Sequence, residues 1–363
     1  MTLSATAEST TTATRTGTGT ERSSARDPFL DNARYWMMLL VVAGHFLTPL
    51  VELDDARGIY RWIYLFHMPV FILISGYTAR HYTGSPRQVR RMVSTLVIPY
   101  LLVELGLEVF EAWLAHEPLD LHVLEPDWLT WFIAALFVWR LTTPIWQAIR
   151  WPIPIAIACS IVGGLAPVSD VLAIPQIIGF LPFYVIGLHL RREHFEQLRT
   201  WKVRLPAVVA LATAAYVCLL EPKEWVMSWL YWRDAYSEAP LYATPLDGME
   251  NRAALLAIGI VLAAAVLSLI PRRQAWYSAM GQRTLYCYLL HGFVILLFTY
   301  YGAFDYMLEH GSVGMWLTVV AGLILANALM TRAVATGFRP VFEPRLKWLF
   351  RSDAETSRRA GAS

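Results

Sequence analysis

The sequence predicts an all-α, polytopic integral membrane protein with about ten transmembrane helices and both termini in the cytoplasm. Of its 363 residues, 56% are hydrophobic and only 16% are charged, whereas about 25% are charged in average soluble proteins. Apolar stretches of about 20 residues recur along the chain, which is the length that an α-helix needs to cross a hydrocarbon core of about 30 Å. Basic residues concentrate in alternate connections between these stretches, and this asymmetry predicts the orientation.

The chain divides into three predicted segments. Residues 1–28 are rich in Thr, Ser, Ala and Gly and have little apolar surface to bury, so we expect a disordered cytoplasmic tail. Residues 29–335 are the predicted transmembrane domain, and residues 336–363 are a cytoplasmic C-terminal tail. The predicted spans are residues 31–51, 59–79, 93–115, 127–146, 152–168, 173–190, 205–221, 252–270, 284–303 and 313–333.

The connections between spans carry the orientation signal. With the N-terminus inside, the cytoplasmic connections contain arginine clusters, for example at residues 87–91, 191–204 and 272–283. The connections on the opposite side are mainly acidic, as at residues 52–55 and 117–127. Excess Lys and Arg on the cytoplasmic side is the usual pattern of multi-pass proteins. We therefore expect a bacterial plasma-membrane protein with membrane lipids around it.

Composition also disfavours several function classes. A net charge of +2, with basic residues beside apolar spans rather than along one face, does not favour nucleic-acid binding. Cys159, Cys218 and Cys287 all fall in predicted spans, and their spacing fits neither a metal site nor a disulfide. We expect no metal and no bound cofactor, and the sequence does not predict an oligomeric state.

His45 is the leading candidate for chemistry. It lies inside the apolar run 35–51, and Arg34, 11 residues earlier, is the last charged residue before that run. Ionisable groups within a bilayer are rare and usually functional. His67 is expected at a similar depth in the second span, so the two imidazoles are predicted to share a cavity in which one is a general base. The alternative for each is a neutral histidine bonded to a backbone carbonyl.

Three further groups of residues could take part in catalysis or binding, although an ordinary structural role would also explain each of them. Glu104 and Glu108 lie on one face of the third span and could orient an imidazole or bind an acceptor. Arg90 and Arg91 could bind phosphate groups, although the positive-inside bias also explains them. His291 is expected in the inner half of the ninth span, either along a cytosolic access route or simply packed beside Tyr288.

Several segments together resemble membrane acyltransferase family 3, including its fucose 4-O-acetylase-like branch. The first span has that family's arginine, ten residues, histidine pattern at Arg34 and His45. The remaining matches follow in order up to about residue 333. They are Phe66-His67-Met68-Pro69-Val70-Phe71 running to Ser75-Gly76-Tyr77, Arg90-Arg91 leading to Ile98-Pro99-Tyr100, Trp131-Phe132-Ile133, and Gly281 with Thr284 leading to Tyr288-Leu289-Leu290-His291. Thr284 replaces the family's serine and keeps its hydroxyl.

The resemblance implies a ten-span enzyme that moves an acyl group, usually acetyl, from cytosolic acyl-CoA to a hydroxyl, commonly on a carbohydrate or glycoconjugate. In that family the histidine corresponding to His45 is essential and is paired with the arginine corresponding to Arg34, and the catalytic set is expected to include His67. The acyl-CoA co-substrate is expected to bind Arg90, Arg91, Tyr288 and His291. The acceptor, or the support of its site, is assigned to Ser75, Glu104, Glu108 and Trp131.

Two other functions fit the same residues. A proton-coupled exporter or flippase of a glycan or lipid-linked sugar would use His45, His67, Glu104 and Glu108 as a proton relay. A sensor or scaffold would need none of them. For an acyltransferase, a macrolide or another hydroxylated metabolite is an alternative acceptor, and transfer is either direct or through an acyl-histidine.

Overall fold

A computed structural model of the protein describes residues 27–220, 227–238, 243–344 and 348–350. These residues are helical with irregular connections, and they contain no β-strand. The helices of the N-terminal half are α1 (Pro28–Leu47), α2 (Asp54–Tyr64), α3 (His67–Ala79), α4 (Pro86–Met92), α5 (Ile98–Ala115), α6 (Trp131–Ala148), α7 (Pro152–Val162) and α8 (Ile174–His189). A π-helical turn at Val93–Val97 joins α4 to α5.

The C-terminal half is built in the same way, with short helices between the long ones. Its helices are α9 (Arg192–Gln197), α10 (Trp201–Leu220), α11 (Ser228–Tyr231), α12 (Pro245–Leu269), α13 (Ser278–Gly281), α14 (Thr284–Tyr300), α15 (Ala303–Glu309), α16 (Gly311–Leu329) and α17 (Arg332–Phe342). Helix α10 exposes most of its apolar side chains, as a helix facing lipid does.

The structure confirms a multi-pass helical membrane protein but does not confirm the count of ten spans. By length and composition, six helical segments of the described chain can cross a membrane. The bent pair α14 and α15, which turns by 65°, makes up to seven. The first, fourth and fifth predicted spans correspond to α1, α6 and α7, which fall outside this set. Helix α7 has only 11 residues, and polar residues lower the hydropathy of the other two.

The predicted segment boundaries are partly covered by the described residues. Of the predicted tail 1–28, only Asp27 and Pro28 are described, and the carboxylate of Asp27 caps α1 by accepting a hydrogen bond from the backbone N–H of Phe29 at 3.0 Å. Helix α17 runs through the predicted boundary at residue 335. The rest of the predicted C-terminal tail is described only at residues 343–344 and 348–350.

Helices α3 and α8 cross at very close range because each has a glycine at the contact. A Cβ added to Gly76 would lie 3.1 Å from the carbonyl carbon of Tyr184 and closer still to its oxygen. A Cβ added to Gly187 would meet the backbone of Leu73 in the same way, 3.0 Å from the carbonyl carbon. Small residues at such crossings let helix backbones approach in a membrane. Helices α1, α6 and α12 also pack on α3, and α6 and α7 pack on α8.

The predicted second span is broken between α2 and α3. Pro69 has no backbone N–H to donate to the carbonyl of Leu65, four residues earlier, and its ring crowds that carbonyl. The break therefore falls at Leu65 and Phe66. The helix continues on the other side of this break, so that Asp54–Ala79 together form one candidate membrane span.

Candidate functional site

Two cavities enter the helical domain from opposite ends of the same helices. The larger has a volume of about 550 Å³, and we call it the arginine cavity because Arg34, Arg91 and Arg140 line it. The smaller has a volume of about 390 Å³, and we call it the histidine cavity because His45 lines it. Helix α1 serves both, with Arg34 at one end and His45 at the other.

A partition about one side chain thick separates the two cavities. Met68 lines both of them. The neighbouring residues Trp131 and Phe132 line opposite cavities, Trp131 the histidine cavity and Phe132 the arginine cavity. The partition crosses α1 between Val41, which lines the arginine cavity, and His45. A group bound at the inner end of one cavity is therefore close to a group bound at the inner end of the other.

Arg34 is held in the arginine cavity by a buried carboxylate. Asp31 is only 2% exposed, and one of its oxygens accepts a hydrogen bond from the Arg34 guanidinium at 3.1 Å. The other oxygen accepts a hydrogen bond from the side-chain amide of Gln282 at 2.9 Å. Charge-assisted hydrogen bonds of this kind fix orientation as well as adding energy. The polar entrance of the cavity is thus preorganised.

Hydrogen bonds hold the segment that contains α13 against α1, next to Asp31. The side-chain amide of Asn32, which is completely buried, donates to the carbonyls of Pro271 and Arg273 at 2.8 and 3.0 Å. The hydroxyl of Ser278 donates to the Asn32 side-chain oxygen at 2.6 Å. Gly281 then lies directly against the Asp31 backbone, where no Cβ fits. This packing explains the glycine in the sequence motif.

The basic residues of the arginine cavity differ in part from the expected set. Arg91 lines the cavity as expected, but Arg90, in the last turn of α4, does not. Arg140 on α6 is a residue that sequence reasoning missed. The same criterion that selected His45, an ionisable group within an apolar run, would have found it. The Nε atom of Arg140 and the hydroxyl of Tyr82 are buried without a hydrogen-bond partner among the described residues.

Ser75 and Tyr288 also line the arginine cavity. The hydroxyl of Ser75 donates to the carbonyl of Phe71 within its own helix at 2.8 Å. Tyr288 uses its hydroxyl to bond the carbonyl of Leu129. Ser75, which we grouped with the acceptor, therefore lies on the arginine side, and Tyr288 ties α14 to the segment before α6.

His45 sits at the base of the histidine cavity in the last turn of α1. Its ring centroid is 4.7 Å from the ring of Trp128 and 5.3 Å from the imidazole of His291. The described residues supply no hydrogen bond to the His45 ring. The imidazole is thus held by ring packing, and its nitrogens remain available to a bound molecule.

The other two histidines lie elsewhere than expected. His67 is 2% exposed and lines neither cavity; its Nδ1 bonds the carbonyl of Ile63 at 2.9 Å, and its ring packs on Tyr64 at 4.5 Å. His291 lies within the partition beside His45 rather than along the arginine cavity. The reason is that α14 packs alongside α1, so its third turn reaches the level of His45.

Glu104 and Glu108 line neither cavity and instead hold the segment between α5 and α6. Glu104 is completely buried and accepts hydrogen bonds from the backbone N–H of Asp127 at 3.0 Å and from the hydroxyl of Thr130. Glu108 accepts one from the backbone N–H of His122 at 2.6 Å. The two bonds to Glu104 hold Asp127 and Thr130, the residues that flank Trp128 in the sequence, and Trp128 packs on His45.

Six aromatic side chains contribute to the wall of the histidine cavity. Trp131 is stacked on Phe180 with ring centroids 5.4 Å apart. The hydroxyls of Tyr60 and Tyr231 are 2.6 Å apart. The aromatic lining consists of Tyr60, Tyr64, Trp128, Trp131, Phe180 and Tyr231. From the sequence, we could not distinguish such a wall from ordinary core or interfacial aromatic residues.

Arg233 places a charged group at the same cavity. Its guanidinium makes two hydrogen bonds of 3.1 Å and one of 2.5 Å to the carboxylate of Asp170. These bonds to Asp170 raise the pKa of Arg233 above its ordinary value. Arg233 is therefore a charged group in the lining of the histidine cavity, with the carboxylate of Asp170 beside it.

Comparison with known proteins identifies the family. The profile described as "Acyltransferase domain", that of acyltransferase family 3, matches residues 27–331. The chain is 27% identical over 348 residues to the nodulation protein NolL of Mesorhizobium japonicum, covering 85% of this chain and 87% of that protein. It is 27% identical over 304 residues to NolL of Sinorhizobium fredii, covering 75% and 79%. No solved structure matches. The chain therefore belongs to acyltransferase family 3, as its motifs indicated, and it is a membrane-embedded O-acyltransferase.

Proposed function

We propose that this protein transfers an acetyl group from cytosolic acetyl-CoA to a hydroxyl of a carbohydrate or glycoconjugate. The observation that carries the proposal is the pair of cavities that meet at Met68, one with arginines and the other with His45. Such an arrangement suits a donor and an acceptor that arrive from opposite sides of a bacterial plasma membrane. The arginine cavity is then the cytoplasmic one, in agreement with the predicted orientation.

The donor phosphates would bind at the arginine cavity. Arg34, Arg91 and Arg140 line it, and guanidinium groups bind phosphate oxygens through forked hydrogen bonds. Along α1, the 11 residues from Arg34 to His45 correspond to about 16 Å at 1.5 Å per residue. An extended pantetheine arm can span that distance. The thioester would then lie at the partition, beside Met68.

The acceptor would bind at the histidine cavity. Sugar rings carry apolar C–H faces that pack on aromatic side chains, and a cavity of about 390 Å³ lined by such side chains accommodates one or two rings. Arg233 and Gln176, which also line the cavity, can donate hydrogen bonds to hydroxyls. These features support a carbohydrate acceptor over a purely apolar one.

His45 would act as the general base. Its imidazole takes the proton from the acceptor hydroxyl as the oxygen attacks the thioester carbonyl, and the C–S bond breaks. The departing CoA thiolate then takes the proton back from the imidazolium. The products are the O-acetyl ester and free CoA, and no other reactant is needed.

The test compares two histidine variants in membranes that contain equal amounts of inserted protein. Labelled acetyl-CoA is supplied with a panel of methyl glycosides, and labelled ester is measured. His45→Ala should lose at least about 10²-fold in rate, since a general base contributes roughly 10²–10⁴-fold. His310→Ala is the matched control, because His310 is exposed between α15 and α16 and lines neither cavity, and its Nδ1 bonds the backbone carbonyl of Tyr306 in the last turn of α15. Full activity of His45→Ala would refute the assignment, and transport of glycosides without labelled ester would favour an exporter.

A further inference from the structure

The buried histidine next to His45 has an unused lone pair. His291 is completely buried on α14. Its Nδ1 atom is 2.9 Å from the carbonyl oxygen of Cys287, and a carbonyl can only accept, so Nδ1 carries the hydrogen of the neutral ring. Nε2 therefore keeps its lone pair. That atom is buried without a hydrogen-bond partner among the described residues.

A buried acceptor without a donor lowers the stability of the protein by about 1–3 kcal/mol. We therefore expect Nε2 of His291 to accept a hydrogen bond in the catalytically active conformation. Three rings lie near the ring of His291. The imidazole of His45 is nearest, at 5.3 Å between centroids, with Tyr288 at 6.2 Å and Trp128 at 6.3 Å. The hydroxyl of Tyr288 is already bonded to the carbonyl of Leu129.

His45 is the matching donor. The described residues give its ring no hydrogen bond. The planes of the two imidazoles are inclined by 43°, and the χ2 torsion of histidine is broad, so a rotation of the His45 ring brings an N–H towards His291. Nitrogens that face each other across this separation are within hydrogen-bond reach.

We propose that His291 is a positioning residue for His45, a role that rests on the proposed function. Its Nε2 accepts a hydrogen bond from one ring N–H of His45. The other nitrogen of His45 then has no hydrogen and points into the histidine cavity, where it can take a proton from an acceptor hydroxyl. The bond made by one imidazole nitrogen thus sets the tautomer at the other. Cys287, through its carbonyl, fixes His291 in turn.

Two amide variants separate this role from simple packing. Glutamine places its side-chain oxygen near the position of Nε2, whereas asparagine ends near the position of Nδ1 and leaves no acceptor towards His45. The full-length protein in proteoliposomes is assayed with acetyl-CoA and the methyl glycoside that the wild-type protein acetylates fastest. Thermal unfolding of each variant is measured in parallel.

We expect His291→Gln to keep kcat within about threefold of wild type and His291→Asn to lose roughly 10²-fold or more, the loss of a correctly held general base. KM for acetyl-CoA and for the glycoside should change little. In the His45→Ala background, His291→Asn should have no further effect, because residues that act as a unit are not additive.

The inference is overturned if His291→Asn keeps the wild-type kcat, or if both amide variants lose activity in step with their melting temperature. It is also overturned if the double variant is slower than His45→Ala alone. These outcomes are distinct from a failure of the proposed function, which is an active His45→Ala protein.

Discussion

Gly281→Ala tests whether the contact between α13 and α1 controls the donor side. In the structure a Cβ at this position would lie 2.6 Å from the carbonyl carbon of Asp31 and closer to its oxygen. Carbon atoms in contact are normally about 3.5–4.0 Å apart, so the two backbones must separate by about 1 Å. Overpacking of this kind costs about 1–3 kcal/mol. The shift also moves Asp31, and with it Arg34 and Gln282.

The functional effect should exceed the loss of stability, because a misplacement of about 1 Å can cost roughly 10²-fold in rate. We expect kcat/KM for acetyl-CoA to fall by about that factor, mainly through KM, with a lowered melting temperature. Gly337→Ala is the matched control, since nothing lies within 4 Å of a Cβ there; it should leave both quantities near wild type. If Gly281→Ala leaves both kcat/KM and stability unchanged, the contact between Gly281 and Asp31 does not control the donor side.

Three further predictions concern the rest of the site. Thr130→Val removes a donor to the buried carboxylate of Glu104 and should lower stability by about 1–3 kcal/mol, together with kcat, whereas Thr130→Ser should preserve both; equal stability and activity of the two variants would contradict this. Arg140→Gln should raise KM for acetyl-CoA at least about tenfold, while Arg90→Gln, which alters a residue outside the cavity, should change it far less; the reverse order would assign the phosphates to Arg90. Met68→Ala should open the partition and increase the rate with butyryl-CoA relative to acetyl-CoA, and an unchanged ratio would show that Met68 does not limit the acyl group.

Much of the fold follows from composition and patterning. Long apolar runs predict membrane helices, and the helices α5, α8, α10, α12 and α16 are found where the sequence predicts spans. The number of membrane spans is harder to predict, because α1 carries Asp31, Asn32 and Arg34 in its first two turns. The polar residues that make a helix functional also lower its hydropathy.

The site was only partly predictable for a related reason. Arg34 and His45 lie on one helix, and their spacing alone places them at different depths. The position of His291 depends on which helix packs beside α1, and the partner of Glu104 is Thr130, 26 residues later and across a loop. Periodicity identifies the face on which a residue lies but not the helix that this face meets. Trp128 carried no sequence signal, since an aromatic residue near a span end is common.

In the proposed reaction, a donor in the arginine cavity reacts with an acceptor in the histidine cavity across the partition. Sealed proteoliposomes containing the full-length protein test it directly, with labelled acetyl-CoA only outside and the methyl glycoside only in the lumen. We predict labelled ester in the lumen and free CoA outside, both abolished by His45→Ala. Ester that forms only when glycoside and acetyl-CoA share one compartment would contradict transfer across the partition.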